Sequence, residues 1–586
     1  MQIHELNLFG GMPGSADFLA IDNGFDTSKI PASKILDSKI NRPIDGNNQY
    51  VDGNPGQLLR TNGDGSTEWV DEGLPSDAQT AQAVSDWLDA HPEATTTVLD
   101  GSITEAKLNS ALALKVIKDY VTPEMFGAVG DGTTDDTQAF IDMFAEKKSV
   151  ILGGGKTYYI ASALQTINDV YMNLNGATIK SHVTIPLGDN CIVFNGTIMS
   201  YANTTFSEPT VAIIGRNNTV DHIRFTSNII GSNYVFTRKN SDMAVISNCH
   251  FDGHCKIGIN AGGSRAVIEN CYFDDVLDNT LYSNCIKFSA DDSADLVTPC
   301  SRDTTVRNCY FGFAGDNCLD FFSGADGALI DSCVFNNGAN VAMEIKSQWR
   351  DPNGPDAPIG YSVVGLRITR NIKVTNCTFL GTGYIAVVTT GIEAGYSGSL
   401  EWTHDVTIKD CIAKNLDGIP FALSAETKNI TFDNIQLPAL STYRYLAVYG
   451  ENNVIKNIDS PYLVINIYGD YLVQNCKVWQ LGVVSNASNR VEIVGCTSYV
   501  TGTFFISFNA GKEVIIRDCI ALTGTYLVAL NGAPTRMVVK NNIVNILMNN
   551  GYGSAGGKVY LVNNLYTNYI APAQTGIEVN EGNYKL

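Results

Sequence analysis

From about residue 150 the chain repeats one short phrase: alternating apolar residues run into Asn-Cys-aromatic, and a new round follows some twenty residues later. Asn248-Cys249-His250-Phe251, Asn270-Cys271-Tyr272-Phe273, Asn308-Cys309-Tyr310-Phe311 and Asn376-Cys377-Thr378-Phe379 are the clearest copies. Weaker copies place Cys333, Cys411, Ile435, Ile458, Cys476, Cys496, Cys519, Ile543 and Leu565 at the cysteine position, preceded by Gly176, Gly196 and Ile223. Most steps span 18 to 27 residues; those after Cys271, Cys333 and Cys377 are 38, 44 and 34 and imply inserted loops. A period near 22 with short strands is one turn of a solenoid whose coils stack at about 4.8 Å. The expected fold class is all-β: a single-stranded right-handed parallel β-helix of about 15–17 coils with a small N-terminal β/α region.

The repeat gives the cysteines their meaning. Fourteen in 586 residues are too dilute for a disulfide scaffold, and no CxxC pair suggests zinc. They are expected to form an inward ladder of reduced core residues, disulfides between coils being the alternative. The asparagines before them suggest a polar ladder of stacked amides at a turn. Apolar residues at 44% and charged residues at 17% suffice for a large core. A net charge of −21 repels nucleic acid and anionic membrane surfaces, so neither is an expected partner. The start, MQIHELNLFG, lacks a signal-peptide pattern, and no window has the length of a membrane span.

Residues 1–75 are rich in Gly, Asn, Asp and Pro and carry strand candidates at Gln57–Arg60 and Glu68–Val70 around the turn signal Asn62-Gly63. Over 76–120 two helices are expected, opened by the capping pairs Ser76 with Gln79 and Ser102 with Glu105, either as surface helices or as a short trimeric stem. Residues 121–150 then hold the segment VTPEMFGAVGDGTTDDTQAF and a helix that would cap the core with Phe140, Ile141 and Phe144, its start held by Asp135 and Gln138. The β-helix proper is expected over 151–570, with 571–586 as a C-terminal cap.

In that segment Phe126, Gly127, Gly130, Asp131, Gly132, Asp135, Asp136 and Thr137 match, residue by residue, the motif that opens the pectate-lyase-like (pectin lyase-fold) β-helices widespread in phage tailspikes. The chain thus resembles a phage or prophage tailspike protein. The resemblance implies a homotrimer on the virion tail, made in the host cytoplasm. Residues 1–75 would attach to phage tail or baseplate proteins, and the β-helix would bind, and in some members cut, host cell-surface polysaccharide. Its acidic run reads as structural.

The repeat also allows coils to be aligned for chemistry. Asp320 lies eleven residues after Cys309 and Glu344 eleven after Cys333, so the two should stack. Strand alternation in NCIKFSA, NCLDFFS and NVAMEIKS puts Lys287, Asp320 and Glu344 in one outward row, with Lys346 beside it. Two acids on neighbouring coils beside a cation should differ in proton affinity, as acid and base roles at a glycosidic bond require. Asp320, Glu344 and Asp316 are the catalytic candidates. Gly315-Asp316-Asn317-Cys318 resembles the Gly-Asp-Asp-Cys motif of polygalacturonase-type β-helix glycosidases, with Asn317 in place of the second acid. Lys287, Lys346, Trp349 and Tyr361 are the substrate-binding candidates, with Tyr384 and Trp402 as further sugar-stacking aromatics.

Two readings of the row stand: a surface ion-pair ladder, or a glycan-cleaving site walled by the loops near 291–298 and 351–361. No cofactor or metal is expected, calcium at Asp291, Asp292 and Asp295 being the alternative. Three functions follow: a polysaccharide depolymerase (glycoside hydrolase or lyase), a non-catalytic tail adhesin using the same surface, and a bacterial carbohydrate-active enzyme.

Overall fold

The computed structural model describes four strands within residues 18–71 and, with interruptions, residues 120–585. The chain divides into units Met1–Asn109 and Ser110–Leu586. In the first, Phe18–Asp22 pairs antiparallel with Thr27–Pro31, and Gln57–Thr61 with Thr67–Asp71. The two expected helices of 76–120 lie outside the described residues.

The second unit is a right-handed parallel β-helix. Residues after the ladder positions pair coil to coil in parallel: His250 with Tyr272, then Tyr310, Val334, Thr378 and Ile412. The next residue of each coil points inward. Phe225, Phe251, Phe273, Phe311, Phe335 and Phe379 form a continuous buried stack with ring centroids 5.0, 4.6, 5.1, 4.8 and 4.9 Å apart. Each such pair adds about 0.5–1.5 kcal/mol beyond its area burial. The thirteen described cysteines are all buried.

The turn before the ladder has one backbone signature. In seventeen coils, from Gly176 to Gly582, the residue preceding the ladder position has positive φ, as at Asn248 (52°), Asn270 (53°), Asn308 (53°) and Asn376 (57°). A second left-handed residue precedes it by five positions in ten of these coils, as Asn190 before Asn195 and Met243 before Asn248. This explains the asparagines, since Asn and Gly tolerate the left-handed region that other side chains avoid.

Stacked amides are the minor pattern: Asn248, Asn376, Asn434 and Asn457 donate Nδ2 instead to Asp221, Asp331, Asp410 and Asp433 at 2.6–2.8 Å. Two amide-to-amide contacts from this turn position are longer, 3.3 Å from Asn195 to Asn173 and 3.4 Å from Asn475 to Asn457.

Three ladder assignments need correction. Gly176 is itself the left-handed residue, and Ala177 faces Gly196, because Thr178 pairs with Thr197. At the other end Ile520 pairs with Ile543, and Ile543 with Leu565. The buried position there belongs to Asn542 and Asn564, while Ile543 stands half exposed outside. Apolarity misled the alignment because these asparagines satisfy themselves inside. Asn542, Asn564 and Asn583 accept from the backbone N–H of Cys519, Asn542 and Asn564 at 2.9, 3.1 and 2.7 Å, and donate to Ile516, Val539 and Leu561 carbonyls.

At the N-terminal end the helix Thr137–Ala145 packs Phe140 edge-on against Tyr158, centroids 5.5 Å apart. Its cap differs from the expected box. Asp135 Oδ1 accepts Thr137 N–H at 3.0 Å, but Gln138 turns to Asp142. Buried Asp136 accepts from Val129 N–H (2.7 Å) and Tyr159 N–H (3.3 Å), clamping the glycine-rich turn onto the first coil. Beside it Glu124 accepts from Lys156 (2.7 Å) and Tyr158 (2.5 Å). Burial opposes the Glu124 charge, yet these hydrogen bonds win and bring its pKa down to about 2.

Two outcomes follow. Asn308→Val places a β-branched residue at φ 53° and should lower urea-unfolding stability by about 1–2 kcal/mol, while Asn308→Gly stays within a few tenths. Glu124, with a depressed folded pKa, contributes stability that is complete above the ordinary value of 4.5 and lost as pH falls towards about 2. Apparent Tm followed from pH 5 downward should therefore fall less steeply in Glu124→Gln than in wild type.

Candidate functional site

One sheet of the solenoid carries the candidate acids. Its strands run in coil order Ile185–Leu187, Pro209–Ile213, Ser232–Thr237, Cys255–Ala261, Asn284–Lys287, Asn317–Phe321, Val341–Arg350, Tyr384–Gly391 and Phe421–Leu423. The eleven-residue alignment holds: Asn260 faces Lys287, Lys287 faces Asp320, Asp320 faces Glu344, and Glu344 faces Val387. The core fixes this row. Ile286, Leu319 and Met343 stack inward on one side of it, and Phe288 and Phe321 stack inward on the other with centroids 4.2 Å apart. A one-residue slip would bury the charges and expose the rings.

Outward does not mean exposed. Asp320 retains 2% of its accessible surface, Asn317 2%, and the side chains of Lys346, Lys287 and Glu344 17, 19 and 25%. Lys287 Nζ lies 3.3 Å from Asp320 Oδ2, and Lys346 Nζ lies 3.4 Å from Asp320 Oδ1 and 2.6 Å from Glu344 Oε2. Legs of 3.4 and 2.6 Å at Lys346 Nζ cap the Asp320 Oδ1 to Glu344 Oε2 separation at 6.0 Å. Asn317 Nδ2 donates to the same Glu344 oxygen at 3.0 Å. Two buried acceptors, Asp320 Oδ1 and Asn317 Oδ1, have no hydrogen-bond partner among the described residues, the Lys346–Asp320 contact being ionic without hydrogen-bond geometry.

The two lysines are tuned in opposite directions. Burial pulls the Lys287 pKa down, only partly offset by Asp320, with repulsion from Lys346 and Lys256 adding to the fall. Burial also works against the Lys346 charge, but Asp320 and Glu344 together outweigh it and raise its pKa. A carboxylate facing two ammonium groups in a shielded pocket is a preorganised charge cluster, unlike the solvated pairs Arg265–Asp242 or Arg307–Glu269, whose arginines are more than half exposed.

Asp316 directly precedes Asn317. It is half-buried at the bend before Asn317–Phe321, up to about 13 Å from Asp320 along the strand. Its N–H donates to Ser283 O at 3.0 Å. The backbone of Trp349 pairs antiparallel with Leu366, an excursion out of the parallel sheet. The side chains of Trp349 and Tyr384, together with Tyr361, Trp402, Asp291, Asp292 and Asp295, lie outside the described residues. The residue missed from sequence is Asn317. Its signal was its register with Asn284, whose Oδ1 accepts the Asn317 N–H at 3.3 Å.

Removing the shared cation should expose the strain of the pair. Lys346→Met is expected to cost about 1–3 kcal/mol in urea unfolding at pH 7, below the roughly 3–5 kcal/mol for a wholly buried pair because the cluster keeps some solvent contact. Lys346→Arg should recover most of that loss.

No protein-family model matches the chain. Over 41 residues it is 51% identical to the capsule K30/K69-specific depolymerase of Klebsiella phage K64-1, a stretch that is 7% of this chain and 5% of that relative. Among solved structures it is similar to the tailspike protein of E. coli bacteriophage HK620 in complex with pentasaccharide, at 12% identity over 78% of this chain and 79% of that one, TM-score 0.38. It is similar also to the N-terminal fragment of bacteriophage Phi29 gene product 12, at 15% identity over 81% of this chain and 95% of that one, TM-score 0.40.

Proposed function

We propose that this chain is a tailspike-type receptor-binding protein of a phage tail, and that it binds host cell-surface polysaccharide over the Lys287–Asp320–Glu344–Lys346 cluster and cuts it there. The observation that carries this is the buried Asp320, held between two lysines next to a second acid that keeps a quarter of its surface. A surface ion-pair ladder has no need of that burial, since desolvating charges is costly. The local match to a phage capsule depolymerase supports the same substrate class.

Glu344 is the acid that a bound sugar would reach, and it exchanges a proton with the glycosidic oxygen or with a ring carbon. Asp320 supplies fixed negative charge opposite it. The bound of 6.0 Å between their facing oxygens falls short of the inverting separation of about 6.5–9.5 Å and admits the retaining one of about 5–5.5 Å. Lys287, Lys346, Trp349 and Tyr361 contact the glycan, and Asp316 lines one end of the groove. The reaction so written needs no cofactor. The functional particle is a homotrimer on the virion, with residues 1–75 docked on a tail or baseplate protein and 76–120 as stem. Folding in the host cytoplasm agrees with buried thiols. The internal pairing of all four charges favours one second reading, an adhesin that holds glycan without cutting it.

Polysaccharide chain length followed over time separates the two. Wild type should shorten a purified capsular or O-antigen polysaccharide, and Asp320→Asn and Glu344→Gln should each do so about 100-fold or more slowly while folding normally. Cutting by both variants at the wild-type rate would move the active site elsewhere, and retention without shortening would leave the adhesin.

A further inference from the structure

The amide of Asn317 is held in one orientation. Glu344 Oε2 already receives the Lys346 ammonium at 2.6 Å, so it acts as an acceptor, and the Asn317 group 3.0 Å from it must be the Nδ2 donor. Flipping the amide would set two oxygens against each other. Oδ1 therefore points away from Glu344, and it is buried with no hydrogen-bond partner among the described residues, as is Asp320 Oδ1 on the same strand.

The fold does not require asparagine here. The register partner of Asn317 on the next coil is Val341, buried in the same sheet. The contact that ties position 317 to the previous coil uses its backbone N–H, donated to Asn284 Oδ1. An apolar residue would keep that contact and leave no unsatisfied acceptor, which in a protein interior is a standing cost. A polar side chain kept where an apolar one fits is the mark of a group with a partner to meet.

We infer that Asn317 is a binding and positioning residue of the site: Nδ2 holds Glu344, and Oδ1, with Asp320 Oδ1, accepts hydrogen bonds from donor groups on a bound sugar. The inference rests on the glycan reading of the cluster. The recognised chemistry is a hydroxyl or an acylamino N–H; a substituent that only accepts finds no complement at these two oxygens. A site built to hydrogen-bond such a donor rejects an analogue that lacks it far more strongly than an apolar pocket rejects a change of size.

The test uses the full chain and a panel of purified capsular and O-antigen polysaccharides. Asn317→Val, which copies the neighbouring coil, should match or exceed the wild-type Tm while kcat/KM on the polysaccharide that wild type shortens best falls about 10- to 100-fold, mostly through KM. Asn317→Asp sets a like charge against Glu344 and should move the acid limb of the pH–rate profile upward by about one unit. A lower Tm with unchanged cutting in Asn317→Val, or an unmoved profile in Asn317→Asp, overturns the assignment and makes Asn317 structural. If wild type shortens no member of the panel, the cleavage reading fails separately. Asn317 is then decided by Tm and by retention on the same polysaccharides immobilised: weaker retention at equal or higher Tm supports it, and equal retention at lower Tm overturns it.

Discussion

A chain that must return to the same point every twenty-odd residues needs a corner that can be repeated without drift. Here the corner is a residue in the left-handed conformation one step before each buried ladder position, recurring in seventeen coils. A right-handed or extended residue at that point would send the chain on rather than around. Once it is set, the following strand pairs in parallel with its predecessor, and the phenylalanines three residues beyond the clearest asparagines fall one above another. The ladder residue need only be small enough, or self-satisfying enough, to sit inside the bend, which is why cysteine, isoleucine and asparagine all occupy it.

The candidate site is a consequence of that repetition. Lys287, Asp320 and Glu344 are far apart in sequence, yet each occupies the equivalent outward place on successive coils. Stacking alone would have made a wet row of charges. What distinguishes this one is shielding: Asp320 keeps almost no contact with water, and its two lysines feel both burial and their acidic neighbours, with opposite net results. Electrostatic interactions in such surroundings are stronger than at an open surface, and their geometry is fixed before any ligand arrives.

The solenoid was legible because its signals are local and periodic. The Asn-Cys-aromatic phrase marks both the conformation and the burial of each corner, and counting from it placed Asp320 beside Glu344 correctly. It failed at the last coils, where buried Asn542 and Asn564 took the place of cysteine and the apolar Ile543 and Leu565 beside them drew the alignment one step off. The burial of Asp320 was not legible, since strand alternation says which way a side chain points and nothing of what closes over it. Asn317 was noticed only as a departure from a familiar motif. Its tie to Glu344 depends on a contact between coils 27 residues apart, which no single-coil pattern contains. Asp316 was favoured by motif and lies at the bend that leads into the strand of Asp320.

The phenylalanine stack has a consequence for how such a protein can change. Between Cys333 and Cys377 the chain spends 44 residues on a coil, about twice the usual number, yet Phe335 and Phe379 remain 4.9 Å apart. Doubling a loop adds only about 0.6 kcal/mol of closure entropy. Inserted segments can therefore be lengthened, shortened or exchanged between lineages with the axis left untouched. Selection is free to rewrite the walls around the charged cluster while the scaffold beneath them stays constant.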